Sequence, residues 1–234
     1  MSISEQQKHV IDCVLSIFET GRIPSAKSYS TCSILKDGAG ISYGKHQCTD
    51  KANSLDLVCR RYIELDGQLA DSLSHYMVYL QTNESSKVNP SGPYPAWLES
   101  LMNLLRSAGS DSIMQRAQDE VFDEFYWNPA LKHVTNAGIK TALGHLVCYD
   151  STIHSGAGGV TIIRKLFPQK SPANGGDEKE WIYAYIKARR NWLLSSPNPL
   201  VRNTVYRMDE LKKIADSNNW ELNTPLTVKG VKIQ

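Results

Sequence analysis

Val10-Ile11-Asp12-Cys13-Val14-Leu15-Ser16-Ile17-Phe18-Glu19-Thr20-Gly21 reads as a helix that closes on an acid, and Lys36-Asp37-Gly38-Ala39-Gly40-Ile41-Ser42-Tyr43-Gly44 as a turn built on a second one. In the first stretch Val10, Ile11, Val14, Leu15, Ile17 and Phe18 recur at helical spacing, which predicts a helix over residues 4–19. Ser4 is suited to cap it and Gly21 to end it. Glu19 then occupies the last turn, where the helix dipole is negative and discourages ionisation. In the second stretch, residues 28–35 and 41–44 predict two short strands around a glycine turn, a hairpin with Asp37 at its tip.

Beyond residue 54 the pattern is helical again, with Leu55, Val58, Tyr62, Ile63 and Leu65 on one stripe. Further helices are predicted over 97–106, 112–126, 136–149, 177–194 and 207–218. Residues 155–159 and 171–176 read as glycine-containing loops, neither with the form of a phosphate loop. The polar, proline-bearing segment 82–95 is taken as the boundary between two lobes of one catalytic domain spanning 1–234. The expected fold class is mainly α with a small β-hairpin region, an α+β arrangement.

The 234 residues suffice for a substantial core. Twenty-six basic against 24 acidic residues leave a net charge of +2, which implies neither a nucleic-acid nor a membrane partner. The opening residues show no basic and apolar leader pattern, and no segment reaches the length of a membrane span. Cys13, Cys32, Cys48, Cys59 and Cys148 form no C-x-x-C pair and are read as thiols, with a Cys32–Cys48 bridge the alternative. No metal site is expected; His145, Cys148 and His154 come nearest to one but lack ligand spacing. No cofactor is expected, and the chain is read as a monomer.

Two carboxyl groups in contrasting environments suit glycoside hydrolysis, in which one donates a proton and the other activates water. Glu19 and Asp37, 18 residues apart, are such a pair. The segments Ile17-Phe18-Glu19-Thr20 and Asp37-Gly38-Ala39-Gly40-Ile41-Ser42-Tyr43-Gly44 resemble the catalytic region of family 46 glycoside hydrolases, the chitosanases. The resemblance continues, in order, through Phe125-Tyr126-Trp127-Asn128-Pro129-Ala130, residues 138–144, Tyr149-Asp150, His154, Gly175-Gly176-Asp177-Glu178, Ala188-Arg189 and Glu221-Leu222-Asn223-Thr224-Pro225-Leu226. It implies a lysozyme-like fold of two lobes with a cleft between them, and an inverting mechanism. Glu19 would protonate the glycosidic oxygen, Asp37 would activate water, and Ser42 stands where the family has a water-placing threonine. Asp150, Arg189 and Arg202 match a charged network behind the catalytic glutamate, with Arg207 a rival to Arg202. His154 is expected to line the cleft.

The pattern also departs from the family. Asn53 or Ser54, and Ser196, stand at positions where chitosan-cutting members hold acids, and Ala39 replaces an arginine. Loss of acids favours a neutral, N-acetylated polymer recognised by hydrogen bonds and by stacking on Tyr29, Tyr43, Tyr126 and Trp127. The first expectation is therefore an endo-acting muramidase on peptidoglycan, with an immunity protein as partner should it be a toxin. A chitosanase is the alternative. A sugar-binding module without catalysis and a Cys148–His154 hydrolase are readings from other classes. The expected location is the periplasm or cell wall, reached by phage lysis or a specialised secretion system, or the exterior for a mature secreted enzyme.

Overall fold

The predicted first helix forms as α1 (Glu5–Thr20). Ser4 and Gln7 make a reciprocal capping box at its start, and Gly21 ends it in the left-handed conformation at φ 74°. The computed structural model describes residues 3–234, the side chain of Ala157 excepted. The expected hairpin follows as β1 (Cys32–Ile34) and β2 (Ile41–Tyr43), joined by β3 (Cys48–Thr49) in an antiparallel sheet of order β1-β2-β3. Cys32 pairs with Tyr43, Ser33 with Ser42 and Ile34 with Ile41. Strand β1 is shorter than expected because Ala26–Ser30 winds into a 3₁₀ turn.

Helices then dominate: α2 (Ser54–Glu64), α3 (Ala70–Ser74), α4 (Met77–Gln81), α5 (Ala96–Ala108), α6 (Ser112–Phe122), α7 (Asn128–Ala137), α8 (Ala142–Arg164), α9 (Glu178–Leu194), α10 (Pro199–Arg202) and α11 (Tyr206–Asp216). A closing ribbon pairs β4 (Leu226–Val228) with β5 (Val231–Ile233). The mainly α class with a small sheet is borne out. Helix α8 corrects one expectation: residues 155–159 are not a loop but carry a kink, with Gly156 at φ 71° and ψ 163° and helix on both sides. The helix expected over 112–126 passes at Asp123 into a π turn, Asp123–Trp127. No helix among the described residues is long and apolar enough to cross a membrane.

The chain divides into two compact units, Met1–Ile23 with Tyr126–Gln234 and Pro24–Phe125. Segment 82–95 is thus not a lobe boundary; it lies inside the second unit. The reason is a buried anchor. Ser85, 1% exposed, donates through its backbone N–H (3.0 Å) and its hydroxyl (2.6 Å) to Oδ2 of Asp50. The apolar core of this second unit runs from Ile41 and Tyr43 in the sheet through Leu55, Val58 and Tyr62 to Leu98, Leu101, Leu105 and Met114. In the first unit α8 is central, packed against α1, α7, α9 and α11. Its buried residues include Leu143, Leu146, Val147 and Tyr149.

Candidate active site

In the first unit, Glu19 sits in the last turn of α1 as expected, but it is not alone there. The start of α11 grips this turn. The Tyr206 hydroxyl donates to the Phe18 carbonyl at 2.6 Å, satisfying a helix-end acceptor, and its ring meets Phe18 edge to face at 6.0 Å. Arg207, 3% exposed, then reaches both ways. Its Nη2 donates to Glu19 Oε1 at 2.5 Å and its Nη1 to Asp150 Oδ1 at 2.7 Å. Arg189 completes the chain, donating to Asp150 Oδ2. Asp150 and Arg189 are fully buried on α8 and α9, whereas half of the Glu19 side chain is exposed.

Asp150 lies buried between the two guanidiniums and hydrogen-bonded to both, the condition under which buried ions are tolerated. Burial alone pushes the Asp150 carboxyl upward, but Arg189 and Arg207 outweigh it and hold the group below the usual carboxylate range. Burial works against the Arg207 charge too, and Asp150 and Glu19 reverse the balance and raise it. His154, on α8, lies in the same field. Burial first, then Arg207 and Arg189, lower its pKa, against smaller opposing contributions from Asp150 and Glu19.

The structure therefore joins Glu19, Asp150 and Arg189 as expected but corrects the fourth member. Arg202 is turned away, its Nη1 donating to the Ser196 and Pro197 carbonyls at 2.8 and 3.0 Å. Arg207 takes the role because it follows Tyr206, which docks on the end of α1. Glu19 was legible as the acid closing an apolar helix; the sequence offered both Arg202 and Arg207 for its network, and the choice of Arg207, 188 residues away, was not legible.

In the second unit, Asp37 lies exposed in the turn joining β1 to β2. Its Oδ1 accepts from the Ala39 N–H at 3.0 Å, and Gly38 and Gly40 adopt φ 73° and 74°. These side-chain-to-backbone and glycine conformations define the turn locally. The returning strand is tied to the interior: Ile41 N–H donates to Ser85 Oγ at 2.9 Å, and Lys51 N–H to the Ala39 carbonyl at 3.1 Å. Ser42, nearly buried, donates to Gln47 Oε1 at 2.9 Å, while Gln47 Nε2 donates to the Gly44 carbonyl at 2.8 Å.

Among the expected sugar-stacking residues, Tyr43 is excluded. It is fully buried and its hydroxyl donates to the Leu105 carbonyl at 2.7 Å. Tyr29 donates to Asp119 Oδ2 at 2.7 Å, and Lys45 Nζ and His46 Nε2 lie 3.0 and 2.8 Å from Oδ1. Burial alone would raise the Asp119 carboxyl, but His46, Lys45 and Tyr29 together hold it far below the ordinary range. Trp127, in the first unit, is half-buried edge to face with Tyr149 at 4.8 Å, with Lys8 Nζ 4.8 Å from its ring. Asn53 stands exposed at the start of α2 in the left-handed region, φ 57°, and makes no cap with its side chain. The five cysteines are buried and joined in no disulfide, so the Cys32–Cys48 bridge does not form. Burial pushes Cys32 and Cys48 up to about 11 and Cys148 up to about 12, which argues against a thiolate nucleophile.

Residues 13–226 match the pattern of glycosyl hydrolase family 46. A chitosanase of Bacillus subtilis (strain 168) is 29% identical over 241 residues, covering 97% of this chain and 83% of the relative. The solved native chitosanase of Bacillus subtilis MY002 matches at a TM-score of 0.76 with 28% identity over 100% of both chains. A mutant of that chitosanase complexed with 6 GlcN matches at 0.74, with 28% identity over 97% of this chain and 96% of that one. The protein is a glycoside hydrolase. It belongs to glycosyl hydrolase family 46.

Proposed function

We propose that the protein is an endo-acting chitosanase that cleaves β-1,4 bonds of chitosan with inversion. The observation that carries the reading is the ion chain Glu19–Arg207–Asp150–Arg189, found in a chain similar to chitosanases across nearly its whole length. Among the described residues, the ion chain holds Glu19 by Oε1, so Oε2 is the oxygen suited to carry the proton. Glu19 donates that proton to the glycosidic oxygen as its bond to the anomeric carbon breaks. A water attacks that carbon from the opposite face and gives its proton to Asp37, which its exposed turn leaves accessible to solvent. Ser42 receives the role of orienting this water. Its hydrogen is committed to Gln47, so its lone pairs are the part offered to a water proton.

The relatives support chitosan over the peptidoglycan that the missing acids at Asn53 and Ser196 suggested. None of them speaks for peptidoglycan or for an immunity protein. The test is product analysis by mass spectrometry after parallel digestion of soluble chitosan and purified peptidoglycan sacculi, with E19A as blank. Glucosamine oligomers released from chitosan alone are expected. Muropeptides with muramic acid reducing ends, and no release from chitosan, would overturn the assignment.

A further inference from the structure

The first unit contains a cavity of about 300 Å³ that shares no residue with the ion chain at Glu19. Its apolar wall is made by Trp181 and Tyr185 of α9 and Cys148 of α8, and its polar lining includes His133, Arg164 and Lys165. Among the described residues, no aspartate or glutamate lines it. Trp181 is 3% exposed, and among the described residues its indole N–H has no hydrogen-bond partner. A buried donor left unpaired is costly, and an arriving acceptor relieves that cost. The other polar groups are largely committed. The Tyr185 hydroxyl donates to Ser151 Oγ at 2.9 Å, and Asn174 donates to Ser171 Oγ at 2.8 Å. Arg164 donates to the Phe167 and Gln169 carbonyls at 3.0 and 2.9 Å, which fixes its guanidinium 6.0 Å from the centre of the Trp181 ring. Burial holds His133 below its ordinary value, so the fixed positive charge of the lining comes from Arg164 and Lys165.

We propose that this cavity is an accessory binding site for a small organic carboxylate with an aromatic or aliphatic body. The carboxylate accepts the Trp181 N–H beside the Arg164 and Lys165 charges, and the body lies against Trp181, Tyr185 and Cys148. A cationic amino sugar is repelled here, so the ligand is chemically distinct from the proposed polymer substrate. The site stands or falls independently of the chitosanase reading.

The test titrates the full chain with benzoate, benzyl alcohol and benzylamine, three probes of one shape and different charge, by calorimetry and by indole N–H NMR. The Trp181 resonance is assigned from its absence in W181F. Benzoate is expected to bind saturably and to move the Trp181 N–H downfield, benzyl alcohol to bind more weakly and benzylamine not at all. W181F, checked for a retained melting transition, is expected to lower benzoate affinity by about tenfold, as loss of a hydrogen bond to a charged group does. Equal binding of benzoate and benzylamine, or benzoate binding that leaves the wild-type Trp181 N–H unmoved, overturns the proposal. So does the absence of benzoate binding.

Discussion

Glu19 and Arg207 show how a single side chain is made ready by a partner far along the chain. Without a donor to Oε1, a half-exposed glutamate at a helix end would have several rotamers; the 2.5 Å bond to a buried guanidinium selects one. E19A is expected to lower kcat on chitosan by at least about a hundredfold, the usual scale of a general acid, and near-wild-type turnover would remove Glu19 from the reaction. D37N is expected to lose a similar factor with little change in melting temperature, because the Asp37 side chain is exposed. R207K separates charge from geometry. Lysine keeps the charge but lacks the planar fork that spans Asp150 and Glu19. We expect kcat to fall with KM little changed and the fold retained. R207Q leaves Asp150 with one guanidinium in a buried setting and is expected to cost about 3–5 kcal/mol in urea unfolding. A loss under about 1 kcal/mol would contradict the buried network.

At the scale of elements, the β1–β2 turn depends on residues that a linear reading assigned to a lobe boundary. Gly40 combines φ 74° with a neighbour so close that an added Cβ would lie 2.7 Å from the Ser86 nitrogen and 2.5 Å from Ser85 Oγ. G40A therefore has to move both backbones, and it is expected to reduce stability and activity together. S85A removes the acceptor of the Ile41 N–H and the hydroxyl donor to Asp50, a carboxyl that burial already holds above its ordinary value. About 1–3 kcal/mol of stability should be lost, read by chemical denaturation. G21A gives a contrasting case. Nothing lies within 4 Å of an added Cβ, so only the left-handed backbone is penalised, by roughly 1 kcal/mol.

Over the whole molecule, burial governs the histidines of the first unit, while ion pairs govern the buried aspartates. His133, His145 and His154 all belong to the first unit and are all held below their ordinary value of 6.5, chiefly by burial. For each, the unfolded chain binds the proton more readily than the folded one. The associated stability is complete above pH 6.5 and is lost as pH falls through the lowered folded values. Asp150 and Asp119, also depressed, extend the loss to more acidic pH. The melting temperature is thus expected to fall between about pH 7 and about pH 5, and H154Q to flatten part of that slope. A transition temperature that stays level across this range would show that these imidazoles are not held neutral by the fold.

Helix α1, with its Ser4 cap, its Gly21 stop and Glu19 in its last turn, was legible in the sequence because caps and apolar periodicity act over a few residues. The Asp37 turn and the strands beside it were legible for the same reason, as its glycines and aspartate signal a turn from neighbouring residues, although Ser85 anchors it from a distance. The choice of Arg207 over Arg202 was not. Both arginines sit near the same helix start, and only the docking of Tyr206 on the Phe18 carbonyl decides which one faces Glu19. Nor was the place of segment 82–95, whose polar and proline-rich composition signals a surface link while Ser85 is buried on Asp50. Tyr43 was likewise ambiguous, since an aromatic on a short strand serves a sugar or a core equally well until packing chooses. Local conformation is encoded in neighbouring residues, whereas partners 35 to 188 positions apart are selected by packing, which only the folded chain performs.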